Sequence, residues 1–249
     1  MNTINLQANI TMKKLILLLF LILPLTLGGD DLFAQTTFQH HYVLGKKIYK
    51  SRRSDAESLM TIDHFSVDKW GDNFFFVDFQ LGGKNMREAY FEISRNLKFW
   101  DGPFAAHLEY NGGLNQAFPI NHAILTGVHW SHVNLEHQWN VGVALMHRYA
   151  MGNQRPHNVQ LTATWGWTSW NRLWTISGFM DLWSQKLPGS KAGVVLLSEP
   201  QLWLNINQFV GVPEECNLSI GGEVKISYNF LHPNKFYVIP TLAAKWTFN

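Results

Sequence analysis

Phe74, Phe76, Asp78, Glu92, Glu109, Phe179 and Asp181 are the residues whose types and spacing could do chemistry together. They would bind rather than react. An aromatic ring stacks on the flat face of another ring, and a carboxylate accepts hydrogen bonds from amines and hydroxyls. Contacts of this kind hold a small polar solute weakly enough to let it go. Trp203 falls in the same pattern. Arg148, Glu223, Lys225 and Lys245 occupy equivalent positions, and their pairing with Asp78, Glu92 or Glu136 would fill an interior instead of serving a ligand.

Reactive constellations are weaker. His122, His129, His132, His137 and His147 lie close together in sequence. However, His129 and His132 are an odd number of residues apart, so they point to opposite faces of a strand. No cysteine or carboxylate pair completes a tetrahedral set, so neither a metal nor another cofactor is expected. Ser131 beside His132, or Ser66 beside His64, could begin a Ser/His lipid-modifying site on a barrel rim. No Gly-x-Ser-x-Gly elbow is present.

The elements that must position these side chains show a period of two. Phe75, Val77, Phe79 and Leu81 share one face, and Phe74, Phe76, Asp78 and Gln80 share the other. Segment 61–81 therefore reads as a hairpin with its turn over 69–73. The plan repeats along the chain, giving twelve expected strands near 38–48, 59–68, 73–81, 87–99, 104–111, 122–132, 135–148, 158–167, 172–183, 199–207, 217–230 and 236–248. Val159, Leu161, Ala163, Trp165 and Trp167 oppose Asn158, Gln160, Thr162, Thr164 and Gly166, one of the clearest cases. Pro240 removes a ladder donor and is the weak point of the last strand.

Strands of about ten residues are long enough to cross a bilayer when tilted, whereas sandwich strands run nearer five or six. Short turns are expected at 69–72, 100–103, 131–134 and 168–171, each beside a tryptophan: Trp70, Trp100, Trp130 and Trp170. One tryptophan per turn is the pattern of an interfacial girdle. The fold expected is thus all-β, a transmembrane antiparallel β-barrel of about 12 strands with short loops. A secreted sandwich with its tryptophans in the core is the alternative.

Composition narrows the function classes. The 249 residues include 11 Trp, 17 Phe and one Cys, and the net charge is +2. No internal disulfide can form, and no basic run suggests nucleic acid; segment 46–53 reads as a solvated loop. Lys13-Lys14 precede an apolar run from Leu15 to Leu27, which is shorter than the roughly 20 residues a spanning helix needs. Residues 1–34 are therefore expected to be a signal peptide and 35–249 the barrel domain.

Within 58–111 the residues Asp63, Phe65, Lys69-Trp70, Phe74 to Phe76 and Asp78 resemble the Tsx-like family of nucleoside-specific outer-membrane channels. Tyr90-Phe91-Glu92-Ile93-Ser94-Arg95 and Trp100-Asp101-Gly102-Pro103-Phe104 are similar to that family's acid-then-Arg strand and its Gly-Pro-Phe turn. The resemblance implies a monomeric channel in the Gram-negative outer membrane, passing nucleosides by facilitated diffusion. It is expected to have outer-membrane lipids and a small solute as partners, with no nucleic acid. A lipid-modifying enzyme and a sealed structural barrel are the other readings.

Overall fold

The computed structural model describes residues 33–52, 56–82, 85–117 and 120–248. The apolar run 15–27 lies outside them. Among the described residues thirteen strands form one sheet. They are β1 (Phe33–Val43), β2 (Ser58–Asp68), β3 (Gly71–Gly82), β4 (Asn85–Leu97), β5 (Phe104–Asn115), β6 (Ile120–Asn134), β7 (Trp139–Ala150), β8 (His157–Thr168), β9 (Trp174–Ser184), β10 (Val194–Ser198), β11 (Gln201–Asn205), β12 (Leu218–Tyr228) and β13 (Phe236–Phe248). Each strand pairs antiparallel with its neighbours, and β1 pairs with both β2 and β13, so the sheet closes on itself. β10 and β11 both lie between β9 and β12 and form a single stave. The result is a closed barrel of twelve staves, not a sandwich. Short helical pieces follow β1: α1 (Gly45–Ile48) and a 3-10 turn (Lys50–Arg52).

The tenth stave breaks at Glu199-Pro200. Pro200 has no N–H to give, and the ladder survives through Glu199 N–H to the Phe179 carbonyl (3.0 Å) and Val224 N–H to the Pro200 carbonyl (2.9 Å). The expected strand over 199–207 is corrected here: its first half is 194–198, and 206–208 is a 3-10 turn. Pro240 is tolerated for a related reason. Its carbonyl accepts from Leu44 N–H (3.1 Å), where β1 has already ended at Val43, so its missing donor removes no ladder bond. Two residues away, the Tyr49 hydroxyl stands in for the absent strand. It receives the Val238 N–H (3.1 Å) and donates to the Val238 carbonyl (3.3 Å).

β1 begins at Phe33, five residues before the expected start. Phe33 and Ala34 pair with Val67 and Ser66, so the first strand extends past the expected cut after Ala34. The first hairpin turn is tighter than expected: only Lys69 and Trp70 lie between paired Asp68 and Gly71. Gly71 is required there. Its φ is +135°, and a Cβ would sit 1.9 Å from the Asn96 carbonyl oxygen. The third turn is moved. β6 runs to Asn134 and pairs with Trp139, so the turn is 135–138 rather than 131–134. Trp130 therefore lies within β6, opposite Phe104 and Val143, whereas Trp70, Trp100 and Trp170 are exposed in turns.

The distribution of side chains is inverted relative to a water-soluble core. Val128, Leu145, Ile220 and Leu242 are exposed on the outside, while Gln39, His41, Asn111, Gln160, Ser227 and Thr241 are buried inside. Aromatic side chains ring both ends of the outer surface. Trp70, Trp100, Phe104, Trp174 and Phe248 mark the end with tight turns, and Tyr42, Tyr149 and Phe236 mark the other.

Candidate functional site

The site is built on β2–β5 and faced by β7 and β9–β12. Strand pairing places Asp78 opposite Tyr90, Phe76 opposite Glu92 and Phe74 opposite Ser94, all directed inward by the pleat. Phe74, Phe76 and Tyr90 form a ladder with ring centroids 6.0 Å apart at each step. Tyr90 Oη donates to Glu92 Oε1 at 2.5 Å, and Thr61 Oγ1 donates to Asp78 Oδ1 at 2.5 Å. Each carboxyl group is thus held in position by a neutral hydroxyl.

Other carboxylates converge on this wall. Glu92 lies within electrostatic range of Glu109, Asp181 and Asp78, and Asp78 within range of Glu199 and Lys225. Glu109 accepts from His107 Nε2 (3.2 Å) and from Asn111 Nδ2 (3.2 Å). Asp181 accepts from Thr162 Oγ1 at 2.5 Å. The cations are differently engaged. Lys225 Nζ is 2.8 Å from Glu199 Oε1, Lys245 lies 4.4 Å over the Trp203 ring, and Arg148 lies 5.5 Å over the Trp183 ring.

Water reaches only part of this interior. Phe74, Phe76, Asp78, Tyr90, Glu92 and Phe179 are half-buried, although all point into a closed barrel. A quarter-turn round the barrel the wall is packed: Ala123, Leu125, Ala144 and Met146 form a buried apolar cluster between β6 and β7. At the turn end a hollow of about 320 Å³ opens between Gln35, Thr175, Asn205, Ser219 and Lys245.

Residues 34–248 match a family model described as "Domain of unknown function (DUF5020)". The chain belongs to the DUF5020 family. No curated protein matches its sequence. Among solved structures, this DUF5020 chain is similar to the NanC porin, with a TM-score of 0.54 at 9% identity over 85% of this chain and 98% of that one. It is also similar to the KdgM porin in complex with disordered oligogalacturonate, with a TM-score of 0.48 at 10% identity over 86% and 99%. The Acinetobacter baumannii outer membrane protein Omp33 gives a TM-score of 0.41 at 10% identity over 89% and 99%. At such identity the NanC likeness is one of fold, and it concerns the same closed barrel.

The seven side chains singled out from the sequence all point inward, but they are not equivalent. Phe74, Phe76, Asp78, Glu92 and Phe179 meet the inner space, whereas Glu109 and Asp181 are covered by their neighbours. Trp203 is 0% exposed, sealed between His41 and Lys245, and offers no face to a solute. The expected pairings are met in part. Lys225 takes Glu199 as its close partner and acts on Asp78 at longer range, Arg148 lies over Trp183 within range of Glu92, Lys245 lies over Trp203, and Glu136 is exposed in the 135–138 turn. Sequence reasoning missed Tyr90 and Glu199, yet both carried a usable signal. Tyr90 shares the parity of Glu92, and Glu199 that of Gln201.

The Ser/His starts do not assemble. His132 packs on Trp139 (5.2 Å) on the outer face, while Ser131 has the opposite parity. His64 binds Thr36 Oγ1 (2.8 Å), and Ser66 accepts from Asn73 Nδ2 (3.5 Å). A different Ser/His contact exists, His40 Nε2 to Ser58 Oγ at 2.7 Å, but the adjacent acid Glu57 pairs with Lys46 instead of orienting the imidazole. Among the described residues no group of three or more His, Cys, Asp or Glu could hold a metal ion.

Proposed function

We propose that the protein is an outer-membrane channel for small polar solutes, and that its preferred solutes are nucleosides or similar flat, hydroxyl-bearing molecules. The observation that carries this reading is the half-exposure of inward Phe74, Phe76, Tyr90 and Glu92 inside a closed barrel whose outer surface is apolar. A sealed structural barrel would pack these side chains as tightly as the β6–β7 wall. The ladder supplies faces for stacking, while Asp78 and Glu92 supply acceptors for ribose hydroxyls or base amines. An N-terminal signal peptide ends near Ala34, so that cleavage there would trim Phe33 and Ala34 from the start of β1. The turn end faces the periplasm of a Gram-negative cell, with Trp70, Trp100, Trp130 and Trp170 at the interface. The protein works as a monomer, in contact with outer-membrane lipid, without a catalytic step.

The test is single-channel recording of the refolded protein in a planar bilayer. Discrete conductance that falls when adenosine or thymidine is added is expected. Conductance indifferent to both would remove the nucleoside preference, and an electrically silent barrel would remove the channel.

A further inference from the structure

We infer that the lumen selects by charge, passing cations and neutral solutes and rejecting anions; this rests on the channel reading and names the solute class of the same site. The inference begins with what the inner cations do. Lys225 is committed to Glu199, and Arg148 and Lys245 lie flat on Trp183 and Trp203. Lys225 is therefore matched, while Arg148 and Lys245 are held against the wall and keep their fields, Arg148 in range of Glu92, Glu109 and Asp181 and Lys245 in range of Asp63. The acids are held by neutral groups: Asp78 by Thr61, Glu92 by Tyr90, Asp181 by Thr162. Hydroxyl donors orient a carboxylate but leave its field intact. Lys225, Arg148 and Lys245 stand against the inward Asp63, Asp78, Glu92, Asp181, Glu199 and Glu223, so the formal excess among these groups is negative.

A second observation points to a mobile cation. Glu223 is 5% exposed, and Gln201 Nε2 reaches its Oε2 at 3.3 Å, yet its Oε1 has no hydrogen-bond partner. A buried carboxylate oxygen left without a partner is costly. Glu223 lies within electrostatic range of Glu199, Lys225 and Asp78, so the single ammonium of Lys225 is shared among three carboxylates. A small monovalent cation or a solute ammonium group entering from the water-accessible β3–β4 wall supplies the missing positive charge. An anion entering there meets only like charge. The basic residues outside the lumen do not reverse this: Lys46 pairs with Glu57, and Lys47 lies over the outward Tyr42.

The test is the reversal potential of the wild-type protein in a planar bilayer under a tenfold KCl gradient. A potential of cation-selective sign is expected, with K⁺ favoured over Cl⁻ by roughly tenfold, the scale of one uncancelled charge at near-lumen distance. Asp78→Asn alone should lower the ratio, and Asp78→Asn with Glu223→Gln should lower it further. Glu136→Gln, in an exposed turn, should leave it unchanged. Heat-modifiable gel migration checks that each variant folds. An anion-selective or unselective wild-type current would overturn the inference while leaving the channel intact. Absence of current would overturn the channel reading and the inference with it.

Discussion

Leu145→Arg is expected to lower the unfolding free energy of the barrel in lipid by about 2–4 kcal/mol, the cost of arginine near the bilayer midplane. Leu145 lies mid-way along β7, points outward between Val128 and Leu161, and is 60% exposed. In water such an exposed leucine tolerates almost any polar replacement, and the change would fall within about 0.5 kcal/mol. The control is Leu135→Arg. Leu135 is 85% exposed, but it sits in the 135–138 turn, where arginine costs only about 0–1 kcal/mol. Urea titration of the protein folded into vesicles, followed by tryptophan fluorescence, measures both. Equal and small effects at the two positions would mean that the apolar exterior does not face lipid.

The second large effect lies inside. Lys225→Met is expected to destabilise the barrel by about 3–5 kcal/mol, because it leaves Glu199 as an uncompensated charge in the wall. The pair is close, at 2.8 Å, with side chains 20% and 11% exposed. Glu223 and Asp78 contribute further repulsion once the ammonium is gone. Adding Glu199→Gln to Lys225→Met should recover part of the loss, so that the double variant is more stable than the single one. The pair Lys46–Glu57, in which Glu57 is 54% exposed, provides the contrast: Lys46→Met should cost less than about 1 kcal/mol. The same urea titrations report all three. A Lys225→Met loss no larger than that of Lys46→Met would show that the inner carboxylates do not depend on this lysine.

How much of this was legible in the sequence follows from what is local and what is not. Each face of each strand meets one environment, so parity alone directed Phe74, Asp78, Glu92, Asp181 and Glu223 inward. The 135–138 turn was hidden because Leu135-Glu136-His137-Gln138 contains no glycine or proline and continues the alternation of its neighbours. It is made by Asn134, whose side chain accepts the His137 N–H (2.8 Å), and by Gln138 at a φ of +53°. β10 was hidden for the opposite reason: Val194 to Leu197 is apolar on both faces, so no period shows, and Pro200 reads as a boundary. Partners on neighbouring staves were beyond reach. Which lysine meets which acid depends on the stagger of twelve staves, and stagger is not encoded in any one of them. The same limit explains why Glu109, Asp181 and Trp203 share the parity of the water-facing residues yet are sealed.

The central claim is that alternate residues of β3 face water inside and lipid outside. It is tested most directly with single cysteines in a Cys216→Ser background, Cys216 being the one native cysteine. A membrane-impermeant, charged thiol reagent is added to Phe76→Cys and Val77→Cys channels in a planar bilayer. The account requires that the reagent reduce the current through the Phe76→Cys protein and leave that through Val77→Cys unchanged. Block at Val77→Cys without block at Phe76→Cys would contradict it.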